Sequence, residues 1–433
     1  MTATACWVAV HLPALSIESF VATLGPEQSL RPCALLEGHR ICAVDVRAQQ
    51  AGVQPGQRRA TALALEPALV LGRADPLRDR QALRDVAVAA LQFTPCVTEH
   101  GGHTVLMEVA ASRRLFGGLE RLVQRLCETL APLRHCMRLA CAPTAWGAAL
   151  LAAWQGWRQP DGSFGESAQT RLTDQRGADA LARQTSLGCQ DQASGVFIPF
   201  GIGPHTFSLV ALQAVLDEMP LAWCVPDAQV LETLRGMGLE RWRDLRALPR
   251  QGLARRLGPG LLQRLDQACG DMPDPRDWLS LPPRFKARLE LFCRADTAEQ
   301  VLHGASALLP RLVHWATARQ ARVTRFTLEM AHEARHRDDD TPTSSSLIVD
   351  LAQPSADAAH LLWLLRERLG RHPLPAPTLE LRLSCDEWVH AAPPDGELFP
   401  TRASAQEGLA RLLERLRARL GPQQVHGLEP VAD

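Results

Sequence analysis

The most constraining feature of the sequence is a run of strand and helix patterns between about residues 284 and 386. Apolar residues alternate with period two in the strand patterns and recur three and four apart in the helix patterns. In the last strand, Leu379, Leu381 and Leu383 are predicted to face the core, opposite Glu380. The order is β-α-β-β-α-β, the split βαβ arrangement. It predicts strand 284–294, helix 297–317, strand 322–333, strand 347–351, helix 356–369 and strand 378–385.

The N-terminal third of the chain has the alternation of an α/β unit. An insert at residues 17–75 separates the first strand, Cys6–Leu12, from the first long helix, and residues 205–275 are predicted to be helical. In the strand Thr104–Ala110, Val105, Met107 and Val109 are predicted to share one face. The predicted domains are residues 1–16 with 76–158, then 17–75, 159–278, 279–388 and a tail at 389–433.

Charge and cysteine content narrow the class of protein. The 433 residues include 47 basic and 47 acidic side chains, so net charge gives no overall attraction to nucleic acid. None of the twelve cysteines forms a C-x-x-C pair, which favours the reduced thiols of a cytoplasmic protein over a disulfide or zinc framework. No apolar run of about 18 residues and no signal-peptide pattern is present, so we expect neither a membrane helix nor secretion.

Two segments are candidates for contact with a nucleic acid backbone. In "RFKARLELF", Arg284, Lys286 and Arg288 lie two residues apart and therefore share one face of a strand. A basic stripe of this kind suits phosphates, although a solvated strand face would give the same pattern.

The second candidate is "LRGMGL", in which Gly236 and Gly238 separate two helical segments. Residues 228–270 hold eight arginines against four acidic residues. A tight turn that leads into a helix exposes N–H groups able to hold a phosphate. An ordinary packing unit of two helices is the alternative.

Several local motifs, in this order, resemble the Y-family (UmuC/DinB-like) of translesion DNA polymerases. "GVQPGQRRATALALEPALVL" is similar to the fingers signature, "LMEVAASRRLFGG" to the palm stretch L-D-V-T-G-S-x-x-L-F-G, and "GMGLERWRDLRALP" to the thumb. "ACAPTAWGAALLAAW" resembles a further palm segment. The resemblance covers about residues 5–386. It implies an α+β multidomain fold: a palm with inserted fingers, a helical thumb with a helix-hairpin-helix, a β-α-β-β-α-β little finger, and a C-terminal tail.

The same resemblance shows that the metal-binding acids of such a polymerase are missing. The first-strand aspartate falls on His11, and the D-E pair of the second motif falls on His103 and Thr104, while the last acid has a counterpart in Glu108. Imidazole is a poor ligand for Mg²⁺, which prefers oxygen. We therefore predict no catalytic residue, no metal and no cofactor. Mg²⁺ is expected only if the chain is a polymerase after all.

The groups that would grip an incoming nucleotide are also replaced. The steric-gate aromatic falls on Ser16, the Y-x-A-R of the fingers falls on Val46–Gln49, and the palm lysine falls near Gln159. A Y-family scaffold without these groups resembles the ImuB subfamily of non-catalytic mutasome proteins. That resemblance implies DNA, the sliding clamp (β subunit), an ImuA-like protein and an error-prone C-family polymerase as partners.

The tail carries two features that agree with this resemblance. "DGELFP" is similar to a degenerate sliding-clamp peptide, with Leu398 and Phe399 as anchors, although a stray apolar pair would look the same. "LARLLERLRARL" places five leucines on one helical face, which packs either on the chain itself or on a partner.

Three hypotheses follow. The first is a catalytically inactive, ImuB-like adaptor that binds DNA and the clamp in damage-induced mutagenesis. The second is a weakly active error-prone polymerase that uses Glu108 and other acids. The third is a helical DNA-binding repair protein unrelated to polymerases, for which the palm and little-finger folds would be absent.

Overall fold

The structure is a computed structural model that describes residues 5–154, 200–205, 208–225, 227–333 and 342–390. The chain forms two compact units, each built from two separate stretches of sequence. One contains residues up to 15 together with 79–279, and the other contains residues 16–78 together with those from 280 onward.

The first unit is built on a five-stranded sheet in the order β5-β6-β1-β7-β8. The central strand β1 is antiparallel to both neighbours, and β7 pairs with β8 in parallel. The strands are β1 (Trp7–His11), β5 (Val97–His100), β6 (Thr104–Glu108), β7 (Met137–Ala142) and β8 (Phe200–His205).

Two hydrophobic cores cover the two faces of this sheet, because successive strand residues point to opposite sides. Val8 and Val10 of β1 belong to one core with Val105 and Met107, whereas Ala9 belongs to the other. Val109 joins the first core, so the predicted shared face of this strand is confirmed. The first core contains α4 (Pro76–Ala90) and α5 (Leu119–Leu130), and the second contains α6 (Ala145–Trp154).

The helices after β8 pack on the second core. Leu212, Leu234, Trp242 and Leu265 are buried in it. These helices lie within residues 205–275, the region that was predicted to be helical. It consists of α7 (Leu209–Asp217), α8 (Leu221–Cys224), α9 (Ala228–Gly236), α10 (Trp242–Arg246), α11 (Arg250–Leu257) and α12 (Pro259–Cys269).

The second unit contains the insert, which has a small three-stranded sheet in the order β3-β2-β4. Its own core is small and includes Ala34, Ile41, Ala48 and Leu69. The elements are α1 (Leu15–Val21), β2 (Cys33–Glu37), β3 (Arg40–Val44), α2 (Val46–Gln50), α3 (Arg59–Leu65) and β4 (Val70–Arg73).

The same unit contains the predicted β-α-β-β-α-β arrangement as a four-stranded antiparallel sheet in the order β11-β10-β12-β9. A capping box of Thr297 and Gln300 begins the first helix, since each residue bonds a backbone N–H of the other. The elements are β9 (Phe285–Ala295), α13 (Ala298–Ala318), β10 (Ala321–His332), β11 (Ser344–Ser355), α14 (Ala358–Leu369) and β12 (Thr378–His390).

The predicted alternation of buried and exposed residues in β12 is wrong at Leu379 and Glu380. Leu381 and Leu383 are buried as expected, but Leu379 is 39% exposed and Glu380 is 8% exposed. The register with β9 shifts between Thr378 and Glu380, so the regular pattern begins only after this irregularity. Glu380 consequently lies beneath neighbouring side chains.

The α+β multidomain fold class is confirmed, and the finer domain boundaries stay a prediction. The hypothesis of a helical protein without palm and little-finger sheets is wrong. None of the helices in the described ranges has the length and apolarity needed to cross a membrane.

Candidate functional site: a degenerate metal centre and a nucleic acid interface

The end of β1 is the position at which the family resemblance implies a metal-binding aspartate. His11 lies there, directly opposite Thr104 on β6 and opposite Arg138 on β7. A hydrogen bond of 2.9 Å joins Nδ1 of His11 to the hydroxyl of Thr104. His103 is held by its backbone, since its carbonyl accepts the N–H of Leu12 at 2.8 Å. The three strands therefore present imidazole, hydroxyl and guanidinium groups in one row.

The electrostatics of this row do not suit a divalent cation. The pKa of His11 is lowered to about 4, mainly by burial, and Arg138 and the neighbouring His103 contribute in the same direction. His11 is therefore neutral at pH 7 and hydrogen-bonded to Thr104. Because the row contains a cation and no carboxylate, its residues do not fit Mg²⁺.

Glu108, the one acid retained from the motif, lies at the other end of β6. It pairs with Trp7, four residues along the ladder from the Thr104–His11 pair, which corresponds to about 13 Å of strand. Its Oε1 accepts the N–H groups of Cys6 at 3.1 Å and Ala110 at 3.0 Å. Glu108 thus satisfies backbone donors at the strand end. Across the described ranges, no three His, Cys, Asp or Glu side chains are placed to share a metal ion.

The positions of the nucleotide grips carry other residues. Val46 begins a short helix capped by Asp45 and is exposed, as is Gln49 in the same helix. Arg47 donates to the carbonyl of Ser29 at 2.9 Å. Ser16 lies in α1, where its carbonyl accepts the hydroxyl of Ser19. Gln159 lies outside the described residues.

The turn with Gly236 and Gly238 is present, and backbone amides within it have acceptors inside the chain. Gly236 ends α9, and Gly238 has a φ of +78°, a conformation that favours glycine. The N–H of Gly238 donates to Arg235 at 2.9 Å, and that of Leu239 to Leu234 at 3.1 Å.

Several N–H groups at the start of the following helix also have acceptors inside the chain. The Asp244 carboxylate accepts the N–H groups of Glu240 and Arg241. The N–H of Trp242 donates to Met219 at 2.9 Å. Partners inside the chain thus occupy several of the donors that were expected for a phosphate. DNA binding by this turn stays a prediction, and it would depend on side chains.

Seven of the eight arginines in residues 228–270 fall into two groups, and the eighth, Arg256, contacts the sulfur of Met237 at 3.5 Å. Arg241 and Arg243 both pair with Glu218, Arg246 pairs with Asp217, and Arg250 pairs with Asp266. By contrast, Arg235, Arg255 and Arg264 are exposed and form no ion pair within the described part of the chain. The latter two flank the turn at Gly258, which joins α11 to α12. These arginines are more available to contact a phosphate than the ion-paired Arg241, Arg243, Arg246 and Arg250.

The basic stripe of β9 has the predicted alternation. Arg284, Lys286 and Arg288 are exposed, whereas the intervening Phe285 and Ala287 are buried. The stripe is nevertheless partly neutralised.

Arg284 lies 3.9 Å from Asp386, and Arg288 lies 2.6 Å from Glu380. Lys286 lies opposite Ser384 and forms no ion pair with a described residue. The predicted clamp-binding pair, Leu398 and Phe399, lies outside the described residues.

No family model matches the chain. The chain is 26% identical to Protein ImuB of Caulobacter vibrioides over 394 residues, which is 88% of the chain and 71% of that protein. The predicted resemblance to ImuB is confirmed. The same identity and coverage hold for ImuB from two strains, NA1000 / CB15N and ATCC 19089 / CIP 103742 / CB 15.

Two solved structures match the chain at low similarity. DinB from Sulfolobus solfataricus is 14% identical, with a TM-score of 0.43 over 88% of this chain and 98% of its own. The insertion ternary complex of Dbh DNA polymerase is also 14% identical, with a TM-score of 0.44 over 89% of this chain and 100% of its own. The similarity to ImuB is a similarity of amino-acid sequence.

Proposed function

We propose that this chain is a catalytically inactive Y-family homologue that binds DNA and the sliding clamp as an adaptor in error-prone translesion synthesis and damage-induced mutagenesis. By resemblance to ImuB, its further partners are an ImuA-like protein and an error-prone C-family polymerase, and it acts in the cytoplasm. The observation that carries the proposal is the hydrogen bond between His11 and Thr104, placed beside Arg138.

This observation bears on catalysis because nucleotidyl transfer needs two divalent cations about 4 Å apart, held by carboxylates. The row at the end of β1 offers no anionic ligand and adds the charge of Arg138. Loss of metal ligands removes several kcal/mol of transition-state stabilisation. The alternative of a weak polymerase relies on Glu108, whose Oε1 already accepts two backbone N–H groups at the other end of the strand.

DNA binding is expected to survive the loss of catalysis because it depends on different residues. Cations in these regions that form no ion pair with a described residue include Lys286 in β9 and Arg235, Arg255 and Arg264 in the helical region. Cations that contact phosphates supply affinity without reading sequence. Binding is therefore expected to be independent of sequence and strongly dependent on salt.

A pair of matched double variants tests this interface. Arg255→Gln with Arg264→Gln is expected to weaken binding to a primer–template duplex and to reduce the slope of log affinity against log salt by about 1–2, since each phosphate contact contributes about 0.9. Arg241→Gln with Arg243→Gln removes the same charge from residues already paired with Glu218, and a smaller loss is expected. Fluorescence anisotropy over a salt series measures both, and equal losses would contradict the assignment.

A further inference from the structure

Two arginines on the neighbouring strands β9 and β12 lie directly opposite each other. Arg288 of β9 pairs in register with Arg382 of β12, and both side chains are more than half exposed. Like charges placed directly opposite on neighbouring strands destabilise a sheet. An anion between the two guanidinium groups removes this repulsion. The geometry is therefore that of an anion site.

The chain supplies that anion itself. Oε1 of Glu380 accepts a hydrogen bond from Nε of Arg382 at 2.6 Å, and Oε2 lies 2.6 Å from Nη2 of Arg288. Each carboxylate oxygen thus has its own arginine. The side chain of Glu380 is only 11% exposed, so it lies largely out of contact with solvent.

The ionisation of Glu380 agrees with this arrangement. Burial by itself would raise the pKa of its carboxyl group, but the hydrogen bonds and the charges of Arg288 and Arg382 together outweigh burial, and the net shift is downward. The group is therefore a carboxylate at neutral pH. The other acids near the two arginines are more exposed and more distant. Glu290 lies 3.7 Å from Arg288, and Glu329 lies 3.6 Å from Arg382.

We infer that Arg288 and Arg382 form a site for a DNA phosphate that Glu380 fills from within the chain, so that Glu380 restrains the affinity of this sheet for DNA. This inference rests on the proposed DNA-binding function. A phosphate that approached the pair would have to displace a carboxylate held by two short charge-assisted hydrogen bonds. Glu380 is thus a positioning residue that keeps Arg288 and Arg382 from contacting a phosphate.

The test compares Glu380→Gln with Glu290→Gln in the full chain. Both substitutions remove one negative charge from the same face, since Glu290 lies directly opposite Glu380. Only the first releases both arginines. Glu380→Gln is expected to raise affinity for a primer–template duplex about 3- to 10-fold and to steepen the salt slope by about 1–2, the contribution of one or two added phosphate contacts. Glu290→Gln is expected to change both quantities by less.

A second pair of variants keeps Glu380 intact and does not depend on the folding of Glu380→Gln. Arg288→Gln removes a cation that is already occupied, whereas Lys286→Gln removes one that forms no ion pair with a described residue. A smaller loss of affinity is therefore expected for Arg288→Gln. Thermal melting of each variant checks that the fold is retained.

The outcomes separate the inference from the proposed function. If the wild type binds DNA, and Glu380→Gln has the same affinity and salt slope as Glu290→Gln, the inference is overturned and DNA binding stands. If Arg288→Gln loses as much affinity as Lys286→Gln, the inference is likewise overturned. If neither the wild type nor Glu380→Gln binds DNA at low salt, the proposed function is overturned as well.

Discussion

Acidification from pH 7 to about pH 4 is expected to destabilise the first unit by several kcal/mol. The pKa of both His11 and His100 is lowered to about 4, and burial is the largest cause. Arg138 adds to the effect at His11. At His100 the added effect comes from Arg276, whose Nη1 donates to Nδ1 at 3.0 Å. Both histidines are therefore neutral in the folded chain at pH 7.

The direction of the effect follows from proton binding. In the unfolded chain, each histidine gains a proton near pH 6.5, whereas the folded chain resists this until about pH 4. The unfolded state then binds more protons between these values, so stability falls as pH falls through this window. A difference of about 2.5 pKa units corresponds to about 3 kcal/mol for each histidine.

Chemical denaturation at pH 7 and pH 4.5 measures this change in the free energy of unfolding. His11→Asn with His100→Asn is expected to flatten the pH dependence, because the titrating groups are gone. His39→Asn, in the exposed turn between β2 and β3, is the matched control and is expected to leave the pH dependence as in the wild type. An unchanged pH dependence in the double variant would contradict the assignment of buried neutral histidines.

Replacement of Leu398 and Phe399 by alanine is expected to abolish binding to the sliding clamp and leave DNA binding intact. Burial of a leucine and a phenylalanine in a preformed groove contributes about 1.5–3 kcal/mol each. Loss of both therefore corresponds to roughly a 100-fold or greater loss of affinity. The wild-type interaction is itself expected to be in the micromolar range, because a flexible segment loses entropy when it binds.

The tail offers a matched control for this experiment. Leu412→Ala with Leu413→Ala also removes two adjacent apolar side chains, but outside the proposed clamp motif. Pull-down of purified clamp by the wild type, by the Leu398/Phe399 variant and by this control separates the two sites. Equal recovery of clamp by all three would mean that "DGELFP" is an incidental apolar pair.

Periodicity predicted the strands and helices because apolar spacing reports which face is buried. The predicted helix 297–317 and the predicted strand 322–333 match α13 and β10 to within one residue at each end. The exposed face of Arg284, Lys286 and Arg288 was predictable for the same reason. Glu380 was not, because an irregular register with β9 decides its position and its partners lie on two different strands.

The candidate site likewise has features that the sequence could predict and features that only the strand pairing reveals. The loss of acids at His11, His103 and Thr104 was visible in the sequence, since it concerns which residues occupy known motif positions. Arg138 was missed, because its place beside His11 depends on the pairing of β1 with β7. The partners of the Gly238 turn were missed as well. Met219 reaches Trp242 only through the packing of separate helices.

Primer extension by the purified full chain tests the central claim most directly. With a primer–template duplex, all four dNTPs and either Mg²⁺ or Mn²⁺, we expect no incorporation above a mock preparation, even with protein in excess over DNA. The reason is that His11, Thr104 and Arg138 occupy the row in which carboxylates would hold the metal ions. Incorporation that scales with the amount of protein and disappears in a His11→Ala, Thr104→Ala variant would contradict the account.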